Sequence, residues 1–239
     1  MKNRFATRAF ALSFALAVGG GLSGCASTAA NPKDPFEGFN RAMFAVNEGL
    51  DTVAFKPLAK GYDAIAPAPV KTGVGNFFGN IADVWTALNN LLQGKVGDAF
   101  SDVGRVLVNT TVGIAGLFDV ATEMGLPKHQ EDLGQTLAVW GVGDGPYFYW
   151  PIIGPRTTRD TFGWVVDIHA DPVANLDDVS VRNSLLGLRF VDIRASLLPT
   201  DKVVEEAAFD KYNYVRDAYL QHRRSVIHDG NPPRELPED

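Results

Sequence analysis

The segment VKTGVGNFFGNIADVWTALNNLLQ, residues 70–93, carries the clearest structural pattern of the chain. Placed about 100° apart around a helix axis, its large apolar residues fall within an arc of about 140°. They are Val70, Val74, Phe77, Phe78, Ile81, Val84, Trp85, Leu88, Leu91 and Leu92. The opposite side holds Thr72, Asn76, Asn80, Asp83, Thr86, Asn89, Asn90 and Gln93. This segregation predicts an amphipathic helix about 35 Å long.

The polar side of this helix is unusual because it has one acid among amides and hydroxyls. Neutral polar groups cost far less to remove from water than ions do, so they suit a partly dry setting. One interpretation places the apolar arc in lipid and lets the amides line a water-filled path. The other buries the helix on both sides within a large globular core. The candidate path-lining residues are Asn76, Asn80, Asp83 and Asn90.

The amino-terminal residues have the pattern of an export signal. Residues 1–8 hold three basic side chains and no acid, and residues 9–21 are uncharged but too short to span a bilayer. Leu22–Cys25 then resembles the site at which bacterial lipoproteins are cleaved and lipidated, so we predict a signal peptide over residues 1–24 and a lipid on Cys25. An ordinary signal peptide ending by chance at a cysteine is the alternative. Ala26 follows where aspartate would favour the inner membrane, which predicts a lipid-anchored protein on the periplasmic face of the outer membrane.

Composition narrows the function classes. The 239 residues carry a formal net charge of −6, which argues against nucleic acid as a partner. The single cysteine excludes a disulfide within the chain. After the signal, no run reaches the roughly 18 apolar residues of a transmembrane helix. We therefore expect a membrane-associated body that has no transmembrane helix in the mature chain.

The rest of the chain predicts an all-α protein with a single helical domain over residues 34–228. Residues 25–33 form the lipidated cysteine and a tether, and a first helix begins at Asp34, the expected N-cap, and ends before Lys56-Pro57. Residues 141–155 are the least helical, and no strand-type alternation is sustained. Further helices are predicted over 58–65, 156–169, 180–197 and 200–228, with a disordered tail over 229–239.

Recognisable catalytic motifs are missing from the sequence. The four histidines form no zinc-protease motif, and there is no nucleophile elbow, phosphate-binding P-loop or dinucleotide fingerprint. Residues 141–145, GVGDG, resemble a phosphate loop superficially, but loop geometry explains the glycines better. His169 lies between Asp167 and Asp171 and could be a base or a metal ligand, although a capping or surface histidine is the simpler interpretation. The sequence predicts no metal, no cofactor and no catalytic residue.

Several motifs along the mature chain together resemble those of the MlaA/VacJ lipoproteins of Gram-negative outer membranes. They are DPFEGFNR at 34–41, NLLQG at 90–94, Asn109-Thr110 with Gly113, DVA at 119–121, GQTL at 134–137, GVGDGPY at 141–147, Gly154-Pro155 and Arg159-Asp160. Any one of them alone would be weak, and the combination is specific. The short tail after His228 departs from the family pattern and puts tail-dependent contacts in doubt.

The resemblance implies a ring-like arrangement of amphipathic helices around a polar channel, seated in the inner leaflet of the outer membrane. Phospholipid misplaced in the outer leaflet would pass through this channel toward a periplasmic lipid-carrier protein, which maintains lipid asymmetry. An outer-membrane porin trimer is the other implied partner, and no enzymatic activity is implied. Two other functions stay open: a lipoprotein that only scaffolds porins, and a phospholipase that depends on His169.

Overall fold

The structure, a computed structural model, describes residues 31–234 and is mostly helical, which confirms the predicted all-α class. The predicted signal peptide and Cys25 lie outside the described residues and stay predictions. The helices are α1 Glu37–Leu50, α2 Lys56–Ile65, α3 Ala68–Leu92, α4 Val96–Thr111, α5 Val120–Glu123, α6 Leu133–Val139, α7 Thr158–Ala170, α8 Val179–Ser196, α9 Leu198–Ala207 and α10 Lys211–Ile227. Two strands, β1 Tyr147–Trp150 and β2 Gly154–Thr157, precede α7. Within residues 31–234, no helix is long and apolar enough to cross a membrane.

The first helix begins differently from the prediction. Its N-cap is Phe36, which has no capping side chain, so the prediction that Asp34 caps the helix was wrong. Asp34 is fully buried and instead accepts hydrogen bonds from Asn40, at 2.8 Å, and from the Tyr212 hydroxyl. Arg216 lies 3.4 Å from the same carboxylate. Asp34 therefore joins the start of α1 to α10, because burying its charge requires partners that a helix end alone does not provide.

The chain stays helical through Pro57, so the predicted break at Lys56-Pro57 was wrong. A π-helical turn, Asp51–Phe55, continues from α1, and Lys56 keeps a helical backbone with φ −63° and ψ −43°. Proline cannot donate the hydrogen bond that an α-helix needs at that position. A π turn shifts the hydrogen-bond register by one residue and absorbs this loss without ending the helix.

The helix hairpin α3–α4 is the largest packing unit of the described structure. The predicted helix over residues 70–93 is confirmed as α3, which begins at Ala68, directly after Pro67, and ends at Leu92. Gly94 has φ +80°, a conformation that glycine adopts without strain, and the N–H of Lys95 bonds the Asn90 carbonyl. This tight turn lets α4 run back along α3, with which it makes its main contact.

The region from 141 to 155 is the least helical, as predicted, but it contains an antiparallel β-hairpin that the sequence did not indicate. Tyr147 pairs with Thr157 and Trp150 with Gly154. Each strand has only four residues, too few to show a sustained alternation. Asn40 on α1 holds β1, donating to the Tyr147 carbonyl at 3.1 Å and accepting from the Tyr149 N–H at 2.8 Å.

Two predicted helices near the carboxyl end have different bounds. The helix predicted over 200–228 is two helices, α9 and α10, because Asp210 has an extended backbone and caps α10 through the Asn213 N–H. The helix predicted from Arg156 begins at Thr158, and Arg156 belongs to β2. Between α1, the β-hairpin and α10 lies the aromatic cluster: Tyr147, Tyr149 and Tyr212, packed against Met43, Phe44, Val215, Tyr219 and Leu220.

Candidate functional site

The outer face of the helix hairpin α3–α4 is apolar and exposed. On α4, Phe100 and Leu107 are 72% and 61% exposed, and Val103 lies between them at helical spacing. On α3, Val70, Val84, Leu88, Leu91 and Leu92 are also exposed. Monomeric soluble proteins rarely expose a continuous apolar surface of this kind. Half of the apolar arc identified in the sequence, these five residues of α3, is therefore exposed, whereas Phe78 is buried.

The inner face of the same hairpin is polar and centres on Arg105, whose side chain is 1% exposed. Its guanidinium lies 3.3 Å from Asp83 of α3 and donates two bonds of 3.0 Å to Asp119. It also donates to the Thr122 hydroxyl and to the Leu126 carbonyl, at 2.8 and 2.7 Å. These bonds to four residues satisfy a buried cation, which is the condition for keeping a charge inside a protein.

The four predicted path-lining residues all lie on the inner side of α3 but not in one place. Asn76 donates to the Leu117 carbonyl at 3.2 Å, and Asn80 donates to the Thr110 hydroxyl at 2.9 Å. Both line a cavity of about 50 Å³, which Arg105, Asn109, Asp119 and Lys128 also line. Asp83 forms ion pairs with two of these cavity residues, Arg105 and Lys128. Asn90 lies apart and donates to Asp102 at 2.7 Å.

A second polar group connects α3 and α4 with α6 and the segment before it. Asp102 is fully buried and accepts from Asn90, and its other oxygen lies 2.9 Å from His129 Nδ1. The Thr136 hydroxyl donates to Asn89 at 2.7 Å. Sequence reasoning missed Asp102, Arg105 and His129. A sequence pattern could have identified the two residues on α4, because Asp102, Arg105 and Asn109 share one face of that helix. The apolar residues Phe100, Val103 and Leu107 lie on the opposite face.

A third buried ionic group links α7, α10 and the start of α6. Arg223 of α10 contacts Asp132 through two bonds of 2.5 and 2.6 Å and lies 3.0 Å from Asp160. The Tyr219 hydroxyl donates to Asp160 at 2.7 Å. Burial alone would raise the pKa of Asp160, but Arg223, Tyr219 and Arg159 outweigh it and hold this pKa below its ordinary value. Asp160 is therefore a carboxylate under physiological conditions.

The arrangement around His169 differs from that of a hydrolase. Its Nδ1 lies 2.6 Å from the Val165 carbonyl of its own helix. Asp167 accepts from the Trp85 indole at 2.7 Å, and burial raises its pKa. Asp171 pairs with Arg189 at 2.5 Å. Both neighbouring acids thus have other partners, and among residues 31–234 no group of three or more His, Cys, Asp or Glu could hold a metal ion.

Comparisons with known proteins agree with this geometry. The MlaA lipoprotein family model matches residues 32–226. An Escherichia coli K12 protein, the intermembrane phospholipid transport system lipoprotein MlaA, is 34% identical over 225 residues, covering 90% of this chain and 88% of its own. Its Haemophilus influenzae counterpart, which has the same name, is 29% identical over 231 residues, covering 91% and 92%.

A solved structure is also similar to this fold. It was described as the structural basis for maintenance of bacterial outer membrane lipid asymmetry. The TM-score is 0.72 at 31% sequence identity, over 81% of this chain and 98% of the other. The family match, over residues 32–226, covers most of the chain. The chain belongs to the MlaA lipoprotein family.

Proposed function

We propose that this protein is the outer-membrane lipoprotein of an intermembrane phospholipid transport system. It takes phospholipid that is misplaced in the outer leaflet, passes it through a polar interior toward a periplasmic carrier, and so maintains lipid asymmetry. The names of the Escherichia coli and Haemophilus influenzae relatives support this function. The description of the similar solved structure supports it as well.

The observation that carries the proposal is the inverted polarity of the helix hairpin α3–α4. Nine of its large apolar residues are exposed, whereas Asn80, Asp83 and Arg105 are buried. An apolar outer face is stable against acyl chains, and a polar interior costs a phospholipid headgroup less to enter than an apolar interior would. A helical body of this kind lowers the free energy of moving a headgroup across the membrane plane. Asn76, Asn80, Asp83 and Asn90 are the proposed lining of that route.

The predicted lipid on Cys25 fits the same function. Acyl chains contribute about 0.8 kcal/mol for each buried CH₂, and two or more chains make attachment to a membrane stable. The anchor would hold the body at the periplasmic face of the outer membrane, with the exposed hairpin in the inner leaflet. This placement agrees with the lipoprotein family to which the chain belongs.

The proposal includes two protein partners and excludes catalysis. A porin trimer would hold the protein in the outer membrane, and a periplasmic lipid carrier would receive the phospholipid. Direction would have to come from outside this protein, because the sequence has no nucleotide-binding motif that could drive transport. We propose no catalytic role for His169, whose neighbouring acids Asp167 and Asp171 are bound to other groups.

A plugging variant tests transport. Asn76→Trp puts a large side chain at the cavity that Asn76 and Asn80 line, whereas Val84→Trp adds the same side chain on the exposed face of the same helix. Each variant replaces the natural protein in cells, and a membrane-impermeant amine reagent labels phosphatidylethanolamine on the cell surface. We expect more labelled lipid with Asn76→Trp and a natural amount with Val84→Trp, at equal protein abundance and location. Natural labelling with Asn76→Trp would favour a lipoprotein that only scaffolds porins.

A further inference from the structure

The side chain of Lys128 places its ammonium group at the cavity of about 50 Å³ on the inner side of α3. Its Nζ donates to the Gly79 carbonyl at 3.1 Å and also to the Asp83 carboxylate. Gly79 and Asp83 belong to α3, whereas Lys128 belongs to residues 126–132, which form neither helix nor strand. A lysine of a connecting segment thus presents a primary ammonium to the polar side of α3.

The cavity contains one more hydrogen-bond acceptor than Lys128 uses. An ammonium group has three N–H donors, and that of Lys128 has two partners. The further acceptor is Oδ1 of Asn80, which lines the same cavity. Asn80 is 7% exposed, and this oxygen is buried and has no hydrogen-bond partner within residues 31–234. Buried polar atoms are nearly always paired in folded proteins, so a further donor is the expected complement of this cavity.

Gly79 makes room for the ammonium beside the helix. A Cβ atom at this position would lie 3.2 Å from Nζ of Lys128 and 3.7 Å from its Cε, and the first of these contacts is closer than Cβ atoms ordinarily make. Gly79 lies one helical turn before Asp83, so its carbonyl and the carboxylate accept from the same ammonium. Glycine destabilises a helix interior by about 1 kcal/mol relative to alanine. Access of an ammonium to the backbone carbonyl gives this glycine a local role.

The ammonium of Lys128 is replaceable by another primary ammonium. The Lys128 side chain is 34% exposed, so it can move into water without the displacement of a helix. Asp83 is buried and keeps Arg105 as one partner at 3.3 Å, and an incoming ammonium restores the other, so the exchange leaves the charge of the site unchanged. A quaternary ammonium has no N–H donor, and a glycerol headgroup has no cation. Of these three groups, only a primary ammonium replaces both the charge and the hydrogen bonds of Lys128.

We propose that this cavity binds the primary ammonium of a phospholipid headgroup, the group that phosphatidylethanolamine carries, in exchange for that of Lys128. The Gly79 carbonyl, the Asp83 carboxylate and Oδ1 of Asn80 are the three acceptors. The cavity has room for one such group, since a water molecule takes up about 30 Å³ in the liquid. Because each headgroup must displace Lys128, it binds less tightly than it would without this competitor, which suits a route that lipid must also leave. This site deepens the proposed transport function and rests on it, since it names the headgroup class.

Native mass spectrometry of the full-length protein, purified from membranes in nonionic detergent, tests the site. The protein is equilibrated with equal amounts of phosphatidylethanolamine, phosphatidylcholine and phosphatidylglycerol that have the same acyl chains, and the bound lipids are counted. We expect bound phosphatidylethanolamine to exceed phosphatidylcholine about tenfold, because only the former donates charge-assisted hydrogen bonds. Equal binding of these two lipids would overturn the proposal. Displacement of bound phosphatidylethanolamine by an equal concentration of free ethanolamine would also overturn it, because the site would then be one for small amines.

Two pairs of variants assign the preference to this cavity. Gly79→Ala crowds the ammonium position and should abolish the preference for phosphatidylethanolamine, while alanine favours the helix and so supports folding. Its matched control is Gly61→Ala on α2, where a Cβ atom has nothing within 4 Å, and the preference should stay natural. Lys128→Met removes the competing ammonium and should raise the affinity for phosphatidylethanolamine about tenfold, because no charge-assisted contacts have to be displaced. Lys60→Met removes an exposed lysine of α2 and should leave this affinity unchanged.

The variants can contradict the site without contradicting transport. A natural preference in Gly79→Ala, or a natural affinity in Lys128→Met, would overturn the ammonium site. The surface-labelling experiment on Asn76→Trp reads transport independently of these lipid counts. More labelled lipid on cells with Asn76→Trp, together with no headgroup preference in the purified protein, would remove this site and leave the proposed function standing.

Discussion

The helix hairpin α3–α4 and the aromatic cluster bury opposite kinds of side chain. In the hairpin, Asp102 and Arg105 are buried while Phe100 and Leu107 are exposed. In the aromatic cluster, Tyr147 and Tyr212 are buried, and the surrounding surface of α10 is charged and polar. The same chain thus contains one region with polar side chains inside and apolar side chains outside, and another region with an apolar and aromatic interior.

The difference indicates what surrounds each region. An ordinary core is stabilised because apolar side chains leave water. A hairpin whose outer face lies against acyl chains gains nothing from that effect, so hydrogen bonds and ion pairs must hold its helices together. The hydrogen bonds and ion pairs of Arg105 with four residues are of this kind. Polar contacts should therefore dominate stability in the hairpin, and packing should dominate in the aromatic cluster.

The largest effect is expected from Arg105→Met, which removes the central cation of the hairpin. It leaves Asp83 and Asp119 buried or half-buried without their shared partner. Breaking a buried pair in this way costs about 3–5 kcal/mol. Lys211→Met is the control, because Lys211 and Glu48 are 41% and 49% exposed in their pair, and exposed pairs contribute at most about 1 kcal/mol. Both effects are measured as the free energy of unfolding of the purified protein in detergent. Equal losses in the two variants would contradict the view that ion pairs hold the hairpin together.

A smaller effect is expected from Asn40→Ala, which disconnects β1 from α1. Asn40 is fully buried, and its loss leaves the Tyr149 N–H and Asp34 each short of one bond. Unpaired buried groups cost about 1–3 kcal/mol. Hydrogen exchange should also accelerate at the Tyr149 amide. Asn175→Ala is the control, because it removes an exposed amide that donates to the His169 and Asp171 carbonyls. It should change the stability and the exchange of the Tyr149 amide less than Asn40→Ala does.

The acid sensitivity of the fold should come in part from Asp160. Its pKa in the folded protein is below the unfolded value of about 3.9, so its charged form stabilises the fold. That contribution is complete above the unfolded pKa and is lost as pH falls through the lower folded pKa. Unfolding free energies measured from pH 6 downward should therefore decline less steeply in Asp160→Asn than in the natural protein. A slope in Asp160→Asn equal to that of the natural protein would contradict this assignment.

Periodicity predicted α3 well, because ten apolar and eight polar residues separate cleanly around the helix. The same periodicity could not decide which face is exposed, since it contains no information about the surrounding solvent. The partners of Asp83 also lay beyond local reasoning: Arg105 is 22 residues away and Lys128 is 45. Asp34 shows the limit most clearly. A local capping rule assigned it to α1, but Arg216, 182 residues later, contacts its carboxylate.

The smallest change in stability should come from single cysteine variants. These variants also test directly whether lipid or water surrounds the helix hairpin and α10. Cys25, the single natural cysteine, is predicted to be consumed by lipid, so a nitroxide label would react selectively at Phe100→Cys on α4 or Tyr214→Cys on α10. Both positions are exposed, and surface substitutions usually change stability by less than about 0.5 kcal/mol. In phospholipid vesicles, the label at 100 should collide with lipid-soluble oxygen and the label at 214 with a water-soluble nickel chelate. Free access of the nickel chelate to both labels would mean that water surrounds the hairpin, and the contrast between the two regions would then need another cause.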